Sequence, residues 1–273
     1  MPAKIRRSLL LVAGALLVAA VTVPIAVSTA SAQDAAPPSE AQPRIVGGDE
    51  ASLSDHPYAV FLTDQNGNQF CGGVIVSSTA IATAAHCAAA LPSSNVRVVA
   101  GRQDKRTSDG VSLRVAREWV DPDYSDPTKG DDVAVLTVRG QLPYRPVKVA
   151  RANDSSDYAE GTQATVLGWG RIADGGARSD YLRSAVVPVV SDPTCKAAYD
   201  SYDANSMVCA GYPDGGIDAC QGDSGGPLVV GDTLIGIVSF GDGCAKAGKY
   251  GVYTRVSTFA NDIAEQSQPR IIG

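Results

Sequence analysis

The chain has 273 residues, of which 44% are apolar and 19% are charged, and its formal net charge is −6. That length and apolar content suffice for a sizeable core, and all-β folds of this size are often a single unit. The acidic balance, without a basic stripe, excludes nucleic acid from the expected partners.

The first 32 residues predict a secretory signal. Three basic residues within the first seven precede an apolar run at 9–27, and the small residues at 30–32 form an A-x-A cleavage site. A membrane anchor is the alternative, but the small-residue site lies where a signal peptidase would cut. We therefore expect a secreted, extracellular protein that has no membrane attachment after removal of the signal.

Residues 33–44 read QDAAPPSEAQPR, a polar and Pro-rich segment that is too short to fold alone. Ile45-Val46-Gly47-Gly48 follows it directly. The segment therefore predicts an activation pro-segment ahead of a globular domain at 45–273.

Short β-rich runs separated by turn residues dominate the chain after residue 45. Turn signals such as Asn66-Gly67 and Asp109-Gly110 lie between them. This pattern predicts an all-β barrel or sandwich, with one helix over about 258–266 that begins after a Ser/Thr cap. The runs are Tyr58–Leu62, Val74–Val76, Val96–Val99, Val133–Val138, Gln163–Leu167, Leu234–Phe240 and Val252–Arg255.

The chain contains an even number of cysteines, which in an oxidising compartment predicts three disulfides. Six cysteines allow 15 pairings, and the sequence alone leaves them open. No C-x-x-C pair is present and there are two histidines, so we expect no metal and no other cofactor. A calcium loop at 101–110 has too few acids to be predicted. The cysteines are Cys71, Cys87, Cys195, Cys209, Cys220 and Cys244.

Three short segments carry residue types that together suit nucleophilic catalysis. They are TAAHC at 83–87, DDVA at 131–134 and GDSGGP at 222–227. A serine hydroxyl needs a neighbouring base to take its proton, and histidine has a suitable pKa. A carboxylate can then hold the imidazole in the correct tautomer and stabilise the imidazolium.

These segments, in the order His, Asp, Ser, resemble the chymotrypsin/trypsin family and, within it, the secreted bacterial trypsins. The likeness runs from Ile45 to about Ala264. The resemblance implies two packed six-stranded antiparallel β-barrels with a C-terminal helix and an active site between the barrels.

The resemblance also assigns roles in catalysis. His86 is expected to be the general base and Ser224 the nucleophile, with the backbone N–H groups of Gly222 and Ser224 forming the oxyanion hole. Asp131 and Asp132 compete for the acid, and Asp132 fits better because the family's aspartate precedes a hydrophobic residue and Ala. The other histidine, His56, is expected to be inert on a surface loop.

The family's disulfide pattern maps onto all six cysteines. It implies the pairs Cys71–Cys87, Cys195–Cys209 and Cys220–Cys244. The third pair would join the segment before Ser224 to the 239–243 region, as opposite walls of one pocket that includes Ser239.

In trypsins the residue six positions before the nucleophile, here Asp218, lies at the base of the primary pocket, where a carboxylate pairs with Arg or Lys. Gly241 and Gly251 match the wall positions that trypsins keep open. Two departures are Ala219, where many trypsins have serine and which should favour Arg over Lys, and Phe240, where tryptophan is usual.

Arg44-Ile45 is itself a trypsin-type cleavage site. In the family, the α-amino group that cleavage frees pairs with the aspartate before the catalytic serine, here Asp223. That pair orders the pocket and the oxyanion hole, which is a disorder-to-order transition.

The sequence thus predicts a secreted serine endopeptidase that cleaves after Arg or Lys and is activated by cleavage after Arg44. Its expected partners are protein and peptide substrates and protein protease inhibitors, and we expect a monomer. Two rivals are a catalytically dead homologue acting as a binding module and a protease with one dedicated substrate. The intact His86, Asp132 and Ser224 argue against the first rival, and the second stays open.

Overall fold

The computed structural model describes Ile45 and residues 47–268. The predicted signal, the predicted pro-segment and Arg44 lie outside these residues. In the part of the chain that is described, no helix is both long and apolar enough to cross a membrane.

A two-residue strand, β1 (Asp49–Glu50), precedes the first barrel. The barrel consists of six antiparallel strands in the order β2-β3-β4-β7-β6-β5, and it closes because β5 also pairs with β2. Strand β2 is buried along its whole length, as expected for a run of apolar residues that faces a closed core. The strands are β2 (Ala59–Thr63), β3 (Gln69–Ser77), β4 (Ala80–Thr83), β5 (Arg97–Ala100), β6 (Val111–Val120) and β7 (Ala134–Val138).

The second barrel has the strand order β10-β11-β14-β13-β12-β9 and closes through the β9–β10 pairing. Two short strands extend it: β1 pairs with β10, and β8 (Lys148–Val149) runs parallel to β13. The barrel strands are β9 (Gln163–Gly168), β10 (Arg183–Val190), β11 (Met207–Ala210), β12 (Pro227–Val230), β13 (Thr233–Phe240) and β14 (Gly251–Arg255).

The expected fold of two six-stranded antiparallel barrels is therefore confirmed, and each predicted β-rich run overlaps a strand. The barrel alternative was correct and the sandwich was not, because both sheets close on themselves. Closure removes the exposed edges that an open sheet would leave unpaired.

Three short helices complete the fold: α1 (Ala85–Ala88), α2 (Asp192–Ala198) and α3 (Ala260–Gln266). Single 3₁₀ turns occur at Ser93–Asn95, Pro127–Lys129 and Ser155–Tyr158. The predicted C-terminal helix is present as α3, but the predicted Ser/Thr cap is wrong. Phe259 occupies the N-cap position because its buried ring packs in the core, and the Thr258 hydroxyl donates to Asn205 O instead.

Trp169, which follows β9 of the second barrel, packs within the core of the first. Its ring meets Phe61 of β2 edge-on at a centroid distance of 5.0 Å, and its indole N–H donates to Gln103 O at 2.9 Å. Leu167, Ile237 and Val256 of the second barrel belong to the same buried cluster. One continuous core thus crosses the junction and fixes the two barrels against each other.

Candidate active site

His86 and Asp132 are brought together by the pairing of β4 with β7. Thr83, the last residue of β4, lies opposite Ala134, the first residue of β7. His86 lies in α1, shortly after β4, and Asp132 lies shortly before β7. Both residues are therefore at the same end of the β4–β7 strand pair. The His86 Nδ1 atom lies 2.8 Å from Asp132 Oδ2, and the His86 backbone N–H donates to Oδ1 at 2.9 Å.

The second barrel completes the surroundings of the Asp132 carboxylate, which is 1% exposed. The Ser239 hydroxyl of β13 donates to Oδ2 at 2.5 Å, and the Thr254 hydroxyl of β14 donates to the Asp132 carbonyl at 2.6 Å. Asp131, the alternative acid, has a left-handed φ of 55° and no hydrogen bond to His86 among the described residues. His56 lies elsewhere, where its Nδ1 is 3.0 Å from the Tyr58 hydroxyl.

Ser224 lies on a segment that touches the first barrel through its backbone. The Gly72 N–H of β3 donates to Ser224 O at 2.7 Å. The Cys87 sulfur lies 3.4 Å from Ser224 O and 3.6 Å from His86 Nε2, so it adjoins both residues. The part of the chain described here provides no hydrogen-bond partner for the Ser224 hydroxyl, whose residue is partly exposed.

The glycines after Ser224 are required by close approach to the rest of the protein. A Cβ at Gly225, where φ is +81°, would overlap Thr83 Oγ1, and one at Gly226 would lie 2.8 Å from Leu167 O. The hypothetical Cβ at Gly225 meets β3 and β4 of the first barrel, and the one at Gly226 meets β9 of the second, so close packing around this loop excludes larger residues here.

A cavity of about 210 Å³ is lined by residues that include both Ser224 and Asp218. Gly241 and Gly251 line it together with Ser239 and Phe240. A Cβ at Gly251 would lie only 2.7 Å from Asp218 Oδ1, whereas one at Gly241 would have its nearest neighbour at 3.4 Å. Glycine at both positions therefore keeps the cavity open. A side chain would clash with Asp218 at position 251, whereas a Cβ at position 241 would make an ordinary van der Waals contact.

Asp218 is 5% exposed, and its carboxylate is only partly satisfied. Oδ2 accepts from the Ala245 N–H at 3.2 Å, while Oδ1 has no hydrogen-bond partner among the described residues. Burial raises the pKa of Asp218 to about 7, and the bonds from Ala245 and Ala219 oppose that shift. Asp218, which lines the cavity, thus has one buried oxygen without a hydrogen-bond donor among the described residues.

Asp223 directly precedes Ser224 in the chain and is fully buried. Its oxygens accept the Gly170 N–H at 2.7 Å and the Cys220 N–H at 3.0 Å. Burial raises its pKa to about 6, although these bonds and the charges of Lys105 and Arg178 act in the opposite direction. Ile45 is fully buried in the core cluster of the second barrel.

Comparison with known proteins identifies the family. The trypsin family model matches residues 45–263. A trypsin of Saccharopolyspora erythraea is 47% identical over 222 residues, which cover 81% of this chain and 97% of that protein. Trypsin eta of Drosophila melanogaster is 40% identical over 82% of this chain and 88% of its own length, and a trypsin-like protease of Streptomyces glaucescens is 36% identical over 88% and 89%.

The chain belongs to the trypsin family. It is a trypsin-like serine endopeptidase, and its substrates are proteins and peptides.

Two disulfides lie at this trypsin-family site and a third lies elsewhere in the second barrel. Cys71–Cys87 joins β3 to α1 beside His86, Cys195–Cys209 joins α2 to β11, and Cys220–Cys244 joins two walls of the cavity. These are the pairs that the resemblance implied. Closing a loop of this size contributes about 3 kcal/mol in the chain-entropy model.

One group in the described part of the chain has the spacing of metal ligands, namely Cys71, His86 and Cys87. Both sulfurs are bonded to each other in a disulfide, so neither is available as a thiolate. This group therefore cannot hold a metal in the oxidised protein.

Several residues that shape the site were not predicted from the sequence. A Cβ at Gly168 or Gly170 would overlap the Asp223 carboxylate, so the GWG triplet at 168–170 was the signal for that burial. Gln69 donates from Nε2 to Gly222 O at 2.7 Å, and nothing in the sequence around it indicated this contact.

The buried carboxylate of Asp218 makes stability depend on pH in a defined direction. An unfolded Asp titrates near 3.8, and the folded value is about 7, so the folded state binds the proton more tightly. Burial of the ionised Asp218 carboxylate therefore destabilises the folded protein. This effect is absent below pH 3.8, develops as the pH rises, and is complete above pH 7. We expect Asp218→Asn to stabilise the ligand-free protein by roughly 2–4 kcal/mol at pH 8 and by much less at pH 4.

Urea unfolding at pH 4, 6 and 8 measures this effect. Both proteins should carry Ser224→Ala to prevent self-digestion, and Asp214→Asn, at an exposed position, serves as the matched control. A gain in stability that is equal at pH 4 and pH 8 would contradict the assignment of the penalty to an ionised Asp218.

Proposed function

We propose that this enzyme hydrolyses peptide bonds through a Ser224–His86–Asp132 triad, cleaves after Arg or Lys, and is secreted as a precursor that is activated by cleavage after Arg44. The observation that carries the proposal is the 2.8 Å contact between His86 Nδ1 and the buried Asp132 carboxylate, beside the Ser224 segment. Three disulfides favour an oxidising, extracytoplasmic compartment.

In the proposed reaction, Ser224 Oγ attacks the scissile carbonyl while His86 Nε2 takes its proton. Asp132 accepts the Nδ1–H bond and stabilises the imidazolium. The negative charge on the former carbonyl oxygen is stabilised by the N–H groups of Gly222 and Ser224. His86 then protonates the leaving amine, and water hydrolyses the acyl-enzyme by the same steps in reverse.

Ser224→Ala tests the nucleophile. We expect kcat to fall by about six orders of magnitude, because no hydroxyl remains to form the acyl-enzyme. Stability should be unchanged, since the hydroxyl has no hydrogen-bond partner among the described residues. A fluorophosphonate probe should label the cleaved wild type and not the variant, and near-wild-type hydrolysis by the variant would refute the assignment.

The specificity proposal rests on Asp218, which lines the cavity and has one carboxylate oxygen without a hydrogen-bond partner among the described residues. A guanidinium or ammonium group that enters the cavity would supply the missing donors and a compensating charge. The planar guanidinium can donate to two acceptors at once, whereas Ala219 offers no hydroxyl to an ammonium. Arg is therefore preferred over Lys.

Matched Arg, Lys and Phe amide substrates test the pocket. We expect kcat/KM to decrease in the order Arg, Lys, Phe, and Asp218→Ser to lower the two cationic values by at least about a hundredfold, because removing one partner of a desolvated charge pair costs 2–5 kcal/mol. The Phe value should change little and serves as the internal control. Equal rates for the Phe and Arg substrates would show that the pocket is wrongly assigned.

The activation proposal rests on Asp223, a buried carboxylate with two backbone donors and no ion pair within the described residues. Such a carboxylate is destabilising unless a cation accompanies it. Cleavage after Arg44 would create an α-amino group on Ile45, whose side chain is already buried in the second barrel. The pair would lower the pKa of Asp223, raise that of the amine above its usual value near 8, and order Gly222 and Ser224.

Arg44→Gln tests activation, and Arg44→Lys is the control because it keeps a cleavable bond. We expect the Gln variant to stay uncut and nearly inactive, and the Lys variant to mature. Activity of the matured enzyme should fall at alkaline pH as the amine loses its proton. N-terminal sequencing together with hydrolysis of an Arg substrate decides the matter: an uncut Gln variant as fast as the cleaved wild type would overturn the mechanism.

A further inference from the structure

A half-buried lysine of the first barrel lies at the junction with the loop that carries Ser224. Lys105 belongs to the connection between β5 and β6. Its ammonium donates to Gln69 Oε1 at 3.1 Å and to Trp169 O at 3.4 Å. One side chain thus contacts the start of β3 in its own barrel and the end of β9 in the other.

Each of the two acceptors adjoins a group that hydrogen-bonds to the loop that carries Ser224. Gln69 is buried, and its Nε2 donates to Gly222 O at 2.7 Å. Trp169 O and the Gly170 N–H belong to the same peptide group, and this N–H donates to Asp223 Oδ1. Lys105 therefore restrains the Gly222–Ser224 loop from two sides.

The charge of Lys105 also fixes the direction of the Gln69 hydrogen bonds. An ammonium can only donate, so the Gln69 amide must present its oxygen to Lys105 and its NH₂ group to Gly222 O. If the amide were reversed, its NH₂ group would face the Lys105 ammonium and its oxygen would face Gly222 O, and neither pair could hydrogen-bond. A neutral, apolar residue at position 105 would remove this selection.

Gly222 is the residue that most needs such a restraint. Its φ is +101°, a conformation that glycine adopts without penalty but does not hold on its own. Holding its carbonyl limits rotation of the backbone on either side of Cα, and with it the direction of the Gly222 N–H.

We propose that Lys105 is a positioning residue that, through Gln69, fixes the Gly222 carbonyl and thereby aims the oxyanion-hole donors. The inference rests on the proposed function, since it requires that Gly222 and Ser224 stabilise an oxyanion. Burial lowers the pKa of Lys105 to about 8, and Arg178 acts in the same direction, while Asp180 and Asp223 oppose it. The ammonium form therefore predominates at pH 7.

The rival explanation is that Lys105 only fastens the two barrels together. The two roles differ in what they change. A loosened barrel junction would weaken the primary pocket and the oxyanion hole together, whereas a misdirected Gly222 N–H would weaken only interactions with the developing charge. A tetrahedral adduct and a simple cation report on these separately.

The experiment uses the full chain cleaved after Arg44, with concentrations set by fluorophosphonate titration of active sites. The test variants are Lys105→Met, Gln69→Leu and the double variant. Lys105→Arg is the conservative replacement. Lys148→Met, at an exposed position of β8, is the control. For each variant, kcat and KM are measured on an Arg amide substrate. The affinities of two inhibitors are measured as well: an arginine aldehyde, which forms a tetrahedral adduct, and benzamidine, a cation that occupies the pocket alone.

We expect Lys105→Met and Gln69→Leu each to lower kcat about ten- to a hundredfold with KM within twofold, because a small displacement of a catalytic donor costs that much. Affinity for the aldehyde should fall in parallel, and affinity for benzamidine should stay constant. The double variant should be no worse than the poorer single variant, since both break one relay. Lys105→Arg should restore most of kcat, and Lys148→Met should match wild type.

An unchanged kcat per titrated site, an equal loss of benzamidine affinity, or additive effects in the double variant would each overturn the inference. If Lys105→Met does not fold, Gln69→Glu replaces it, because it keeps an acceptor for Lys105 and removes the donor to Gly222. If the wild type itself does not react with the fluorophosphonate, the proposed triad fails, and that outcome is distinct from a failure of the Lys105 relay.

Discussion

The enclosure of the Asp223 carboxylate is the constraint on which the rest of the site depends. Glycine is required at positions 168 and 170 because any Cβ there would overlap the carboxylate. The Gly170 and Cys220 N–H groups are committed to it, and Gly222 and Ser224 flank it in the chain. The surroundings of this one carboxylate thus set the backbone path on both sides of Ser224.

The two barrels contribute unequal parts, and neither holds the chemistry alone. The first supplies His86 and Asp132 at one end of the β4–β7 ladder. The second supplies Ser224 and the hydroxyls of Ser239 and Thr254 that surround Asp132. Because Trp169 inserts into the core of the first barrel, the relative placement of these groups is set by close packing rather than by a flexible connection.

Much of the fold and of the candidate site could be predicted from the sequence, for reasons that differ by residue. His86, Asp132 and Ser224 lie in motifs whose chemistry is local, and the longer apolar runs of β2, β7 and β13 are unmistakable as strands. Strand β6 was not predicted because only Val115 of its residues is buried and the strand includes the charged Arg114, Arg117 and Glu118.

Contacts between distant parts of the chain could not be predicted in the same way. Gln69 and Gly222 are 153 residues apart, and Lys105 and Trp169 are 64 apart. No periodicity or local motif connects such pairs, since only closure of both barrels brings them together. The same holds for the α3 cap, where burial of Phe259 outweighed the local preference for a Ser or Thr side chain.

The short strand β1 has a consequence for how a new amino terminus at Ile45 would behave. Asp49 and Glu50 are held against Arg183 and Ser184 of β10, so a chain end at residue 45 is attached to the barrel by a tether of four residues. At about 3.5 Å per residue, that tether reaches no farther than ~14 Å. A group confined to so small a volume has an effective concentration in the millimolar range or above. Its proposed encounter with Asp223 would therefore be intramolecular, and dilution of the protein would not weaken it.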